Sequence, residues 1–96
     1  MPVFVVVAEV EAGDGHEETM AAELDVLAKA SRAEAGCVQY SLCEEEGAIG
    51  TWLIYEVWQS EMHWRQHLET DVFRAFKFDV LPNIGRLSAR KFRLVR

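Results

Sequence analysis

Cysteine is scarce in this 96-residue chain, with one residue at position 37 and one at 43. Both fall on one predicted strand, where about 3.3 Å per residue sets their Cα atoms about 20 Å apart, far outside disulfide reach. A disulfide-stapled scaffold is excluded, and two buried or half-buried thiols are expected. Long apolar runs are missing too; nothing approaches the roughly 18 residues that a membrane helix needs. Basic residues are sparse over the first two-thirds, where residues 1–64 hold thirteen acids against two bases, Lys29 and Arg32. With a net charge of −6 and no aromatic or glycine interleaving of its basic residues, the chain is not expected to bind nucleic acid. No glycine-rich nucleotide loop, Cys–His pair, Ser–His–Asp set or flavin fingerprint is found. The N-terminus enters a strand directly, without a basic leader or cleavage site, so a cytoplasmic protein with no membrane attachment is expected.

What is present suits one small globular domain, residues 1–96, with half of its residues apolar. Residues 65–96 carry eight bases against three acids. Acidic helix faces are therefore expected to meet a basic last strand, within a subunit or across a dimer; an anion-binding rim is the alternative.

Val3 to Val10 is a nearly continuous β-branched run, as a strand covered on both faces would be. Glycines at 13 and 15 end it, and Asp14 with Glu17 three residues on has the spacing of a capping box. A helix is predicted from about His16 to Glu34, with Met20, Leu24, Leu27 and Ser31 as its buried stripe and Gly36 as its left-handed stop. Cys37–Cys43 reads as a strand with Val38, Tyr40 and Leu42 on one face. Thr51–Trp58 reads as another, with Trp52, Ile54, Glu56 and Trp58 on one side and Thr51, Leu53, Tyr55 and Val57 on the other. Ser60 is placed to cap a helix through Leu68, and Thr70 or Asp71 a shorter one through about Phe78, closed by Pro82 and Gly85. The basic, amphipathic Leu87–Val95 is the last strand. This β-α-β-β-α-β order predicts an α+β, ferredoxin-like fold: an antiparallel four-stranded sheet with helices on one face. Apolar side chains on both faces of the first three strands predict a homodimer whose sheets pack together.

The richest stretch is Tyr55-Glu56-Val57-Trp58, followed by the capped helix with His63 and His67 and then by Phe73, Phe76 and Phe78. Ser31-Arg32-Ala33-Glu34-Ala35-Gly36-Cys37-Val38-Gln39-Tyr40 resembles the "S-R-x-E-x-G-C-x-x-Y" junction of the antibiotic biosynthesis monooxygenase (ABM) domain family. Tyr55-Glu56-Val57-Trp58 with His67 and Phe73-Arg74-Ala75-Phe76 resembles that family's "Y-E-x-W…H-L…F" signature, and Gly15-His16-Glu17-Glu18 its "G-x-E-E" helix start. The resemblance spans nearly the whole chain and implies the dimeric α+β barrel arrangement. The family includes quinol-type monooxygenases, haem-degrading enzymes and an isomerase of a phosphorylated dione. Lys77 stands where the haem-degrading members carry an iron-ligating histidine, and Val10 where they carry an asparagine, which sets this chain apart from that branch.

His67 is the candidate acid/base or substrate-bonding group, the alternative being a structural core histidine. His63, one turn before it, shares its helix face; the pair lacks a third ligand at metal-site spacing, so no metal is expected and His63 is read as solvated. Glu56 is the candidate carboxylate that orients an imidazole, and Trp58 a pocket wall, against the plainer reading of core or interface residues. Phe73 and Phe76 are read as pocket lining or core. Tyr40 and Tyr55 could donate to a bound oxygen or hold a dimer together, and Arg32 could bind an anion or cap its own helix. The combined expectation is a monooxygenase that needs no protein-bound cofactor, in which a quinol-like or polycyclic aromatic substrate supplies the electrons to dioxygen. An isomerase of a small hydroxyketone or phosphorylated dione, and a non-catalytic dimer that binds a small aromatic, are the alternatives.

Overall fold

The structure is a computed structural model that describes residues 2–96. The β-branched run opens it as β1 (Phe4–Ala12), followed by helix α1 (Glu17–Arg32) and strands β2 (Cys37–Glu44) and β3 (Thr51–Trp58). Helix α2 (Glu61–Leu68) and the short helix α3 (Asp71–Arg74) come next, then a π-helical turn at Ala75–Val80, helix α4 (Leu81–Ile84) and strand β4 (Gly85–Arg93). The sheet is antiparallel in the order β2-β3-β1-β4, so the first strand lies inside and the last at an edge. Arg86, Arg90, Lys91 and Arg93 crowd that edge strand, and charge of this kind keeps an open edge from pairing with another chain. No helix among the described residues is long and apolar enough to cross a membrane.

Alternation divides the sheet cleanly. Ala8 and Val10 of β1, Trp52, Ile54 and Trp58 of β3 and Tyr40 of β2 pack against Met20, Leu24, Leu27 and Ala28 of α1 to form the core. On the other face Leu53, Tyr55 and Phe92 are more than a third exposed. Val5 is buried there nonetheless, because Val57 and Phe92 flank it on the neighbouring strands.

Several local expectations are corrected. The Asp14 capping box is not made: α1 begins after His16 without a side-chain cap, and the Glu17 carboxylate accepts from the Gly15 N–H at 3.3 Å. In β2 the register shifts between Cys37 and Gln39, so Val38 leaves the core face and is exposed, while Cys37 joins Tyr40 and Leu42 against the core. Of the two thiols expected to be buried or half-buried, Cys37 is half-buried but Cys43 is exposed. The helix expected to stop near Phe78 instead runs on through the π turn to Ile84, with Pro82 in the first turn of α4.

Gly36 carries more than a helix stop. Its φ is +83° and the His63 ring occupies the space a Cβ would take, while its carbonyl accepts from the Gln59 N–H at 2.8 Å. His63 is thus half-buried, not solvated; its Nδ1 lies 2.7 Å from the Ser60 hydroxyl that caps α2. Gly36→Ala combines a left-handed alanine, about 1 kcal/mol, with an overpacked contact of about 1–3 kcal/mol. We expect a loss of about 3 kcal/mol by urea unfolding. Gly47→Ala is the control, with φ +79° and nothing within 4 Å, and should cost only about 1 kcal/mol. Equal losses in the two variants would remove the His63 contact from the account.

Candidate functional site

The C-terminal end of α1, the start of β2, the end of β3 and the last turn of α2 converge on one buried imidazole. Ser60 fixes where α2 begins, by accepting from the His63 N–H, and this sets the turn on which His67 points inward. His67 is 2% exposed. Its Nδ1 lies 3.0 and 3.1 Å from the two carboxylate oxygens of Glu34, just past the end of α1. Its ring packs on Trp58, Phe73 and Tyr40 at centroid separations of 4.8, 4.9 and 6.0 Å.

The hydrogen bond decides the tautomer. A carboxylate only accepts, so Nδ1 carries the proton and donates it to Glu34. Burial lowers the His67 pKa below its ordinary value, with the Glu34 hydrogen bond and charge pulling the other way. The ring is therefore neutral at physiological pH, and its Nε2 lone pair makes no hydrogen bond among the described residues. A neutral imidazole with one nitrogen held and the other vacant has the form of a general base.

Glu56 does something else. Two residues from Trp58 on the same face of β3, its Oε1 accepts from the indole Nε1–H at 3.0 Å, and both side chains are buried. Burial pushes the Glu56 carboxyl up to about 7; the indole N–H opposes this, and the charge of Glu34 adds to it. The carboxylate that holds the imidazole is thus Glu34, not Glu56, whose oxygen accepts from the Trp58 indole instead. Tyr40, paired across the strands with Glu56, has its hydroxyl pushed far above the usual phenol range by burial and by the Glu56 charge, with Ser31 opposing. It stays protonated.

A cavity of about 310 Å³ lies beside this cluster, between the helical layer and β4, with Trp64, Phe73, Phe76, Leu81 and Leu87 in its walls. Phe73 is common to both: its ring packs on His67 and also lines the cavity. Phe73 and Phe76 line the space. Trp58 does not; it is completely buried behind the imidazole. Tyr55 lies on the opposite face of the sheet, and the Arg32 Nε–H donates to the Tyr40 carbonyl at 2.9 Å. A larger recess of about 410 Å³ lies at the other end of the sheet, by Glu45, Trp52 and Arg86, away from the imidazole.

Sequence reasoning gave Glu34, Trp64, Lys77 and Leu87 no place in the site. Glu34 stands in the Ser31–Tyr40 junction but is 33 residues from the histidine it holds, a separation no local pattern reports. The π turn gave no signal either, although such turns are frequent beside functional sites.

Residues 3–77 match the sequence profile of the family described as antibiotic biosynthesis monooxygenase. The chain belongs to this family. A Bacillus subtilis protein of similar sequence, "Putative monooxygenase YcnE", is 32% identical over 74 residues, covering 77% of this chain and 78% of that one. An uncharacterized Synechocystis protein, sll1783, is 29% identical over 73 residues, 76% of this chain; the match spans only 50% of that longer protein. Among solved structures, PA3566 from Pseudomonas aeruginosa superposes with a TM-score of 0.93 at 25% identity, covering all of this chain and 97% of that one. The family assignment and the fold thus agree.

Proposed function

We propose that this chain is a cofactor-independent monooxygenase that oxidises a quinol-like or polycyclic aromatic substrate with dioxygen. The observation that supports this best is the neutral, Glu34-held His67, with a vacant Nε2, behind a ring that also walls an aromatic cavity. The likeness to proteins described as monooxygenases points the same way.

In this reading the substrate lies between Phe73, Phe76 and Trp64, and rotation of Phe73 brings its hydroxyl to His67 Nε2. His67 takes the proton, and Glu34 stabilises the imidazolium that forms. The phenolate then reduces dioxygen, the oxygen and ring radicals combine at carbon, and loss of water leaves a carbonyl. A hydroquinone plus dioxygen thereby gives a hydroxyquinone and one water, with all the electrons drawn from the substrate. Apolar walls keep water from the intermediate. Glu56 holds Trp58 against the imidazole from behind. The half-exposed Leu53, Tyr55 and Phe92 support a homodimer joined through the open sheet face, with Tyr55 at the joint.

The test is oxygen uptake with reduced 1,4-naphthoquinol, in the presence of a chelator and without a nicotinamide cofactor, on protein that sediments as a dimer. Uptake above the spontaneous rate, with hydroxynaphthoquinone identified by mass, is expected. His67→Ala should slow it about 100-fold or more, the usual effect of losing a general base. An unchanged rate in that variant would take His67 out of the mechanism, and binding of the quinol without product would make the protein a carrier.

A further inference from the structure

The cavity beside Phe73 has a charge preference built into its wall. Among the described residues that line it, Lys77 is the single ionisable one. The ion pairs of the described residues involve Lys29, Arg65, His67, Arg74 and Arg86; Lys77 takes part in none of them. Lys77 is exposed, and a solvated cation with no ion-pair partner among the described residues, at the edge of an apolar slot, is free to meet an anion held there. The Lys77 ammonium stands 6.0 Å from the Phe73 ring centre and 5.7 Å from that of Phe78, within cation–π range of both. The π turn puts it there: Phe76 is buried toward the core while Lys77, the next residue, reaches the rim.

We propose that this cavity takes a planar aromatic anion, a one- or two-ring carboxylate or phenolate, with its rings among Trp64, Phe73 and Phe76 and its charged oxygen on the Lys77 ammonium. The volume of about 310 Å³ is near the lower end for ligand sites and favours a compact ring system. The proposal names the substrate class for the site of the preceding section and rests on that reading only in using the same cavity. For a phenol the anion is the electron-rich form that His67 makes in the preceding reading, so Lys77 would hold that phenolate in place; a carboxylate probes the same charge contact without the chemistry.

Equilibrium binding tests it without any turnover. Calorimetry with 2-naphthoate and with 2-naphthalenemethanol, its neutral counterpart of similar shape, should show the acid bound about fivefold more tightly or better, as one partly exposed charge contact gives. In Lys77→Met the preference should vanish, while affinity for the alcohol stays within about twofold. Lys91→Met removes a like charge that stacks on Trp64 from outside the lining, at 5.7 Å, and should keep the preference. Equal binding of the two ligands by the unmodified protein overturns the proposal. So does a preference that survives Lys77→Met or is lost as fully in Lys91→Met, and so does failure to bind naphthoate at all. None of these results depends on oxygen uptake. A selective but inert protein would sink the oxygenase reading alone, and an active protein indifferent to charge would sink this one alone.

Discussion

Trp58→Ala is expected to cost the domain about 5 kcal/mol. The indole is completely buried and stacks on the His67 ring, and truncating a core tryptophan costs about 3–5 kcal/mol in transfer and cavity terms. A second loss follows, because the indole N–H is the donor that satisfies the buried Glu56 carboxyl; leaving such a group unpartnered adds about 1–3 kcal/mol. Domains of this size hold only about 5–10 kcal/mol in reserve, so the variant should be near its folding limit. Trp58→Phe keeps most of the ring and removes only the N–H, and should cost about 2 kcal/mol. It should also push the Glu56 pKa further up, since the indole bond is what restrains it. Urea midpoints for the two variants measure the difference. A Trp58→Ala protein within about 1 kcal/mol of the unmodified one would mean that the indole is not packed as described.

Glu56→Gln should make the protein more stable in alkali relative to acid. The carboxyl has its pKa raised from 4.5 to about 7 by burial, so the folded chain holds a proton that the unfolded chain has released. Between those two values stability is lost as pH rises, and above about 7 the full cost of a buried charge is present. At 1.36 kcal/mol per pKa unit that cost is about 3 kcal/mol at pH 8, against about 1 kcal/mol at pH 5. His67 works with the opposite sign. Its pKa is lowered by burial, so stability is lost as pH falls below 6.5 toward the folded value. In the unmodified protein the two slopes oppose each other below 6.5. Glu56→Gln removes one of them, and its stability should rise steadily with pH across that window. Any fixed penalty from the amide's extra donors is the same at both ends, so the change in the mutant-minus-parent difference, about 2 kcal/mol from pH 5 to pH 8, is the quantity to read. A flat difference would show that Glu56 titrates as an ordinary surface carboxyl.

The parts of this molecule that its sequence shows are those with a short-range cause. The alternation along Thr51–Trp58 reports which side chains face the helices, the Ser60 cap marks where α2 begins, and both agree with the structure. The β-α-β-β-α-β order follows from the same local signals. What escapes is decided at a distance or by one residue of slippage. The register shift after Cys37 exchanges Val38 for Cys37 on the core face, and composition does not mark it. The π turn reorients Phe76 and Lys77, yet its residues read as ordinary helix. Glu34 was visible as a letter in the junction preceding β2, but its meeting with His67, 33 residues on, is made only when the chain folds. Glu56 drew attention because it is next to Trp58 in the strand pattern, and that neighbour is indeed what it bonds. Pairing it with the imidazole confused proximity in sequence with proximity in space.

The placement of β1 inside the sheet sets an order for manufacture. Residues 4–12 leave the ribosome before both of their partners, since they are hydrogen-bonded on one side by residues 51–58 and on the other by residues 85–93. A nascent chain therefore presents a sticky valine ribbon with two bare flanks until those partners emerge. One flank closes with residues 51–58 and the other only with residues 85–93, so products stalled between the two should be the species that chaperones must shelter.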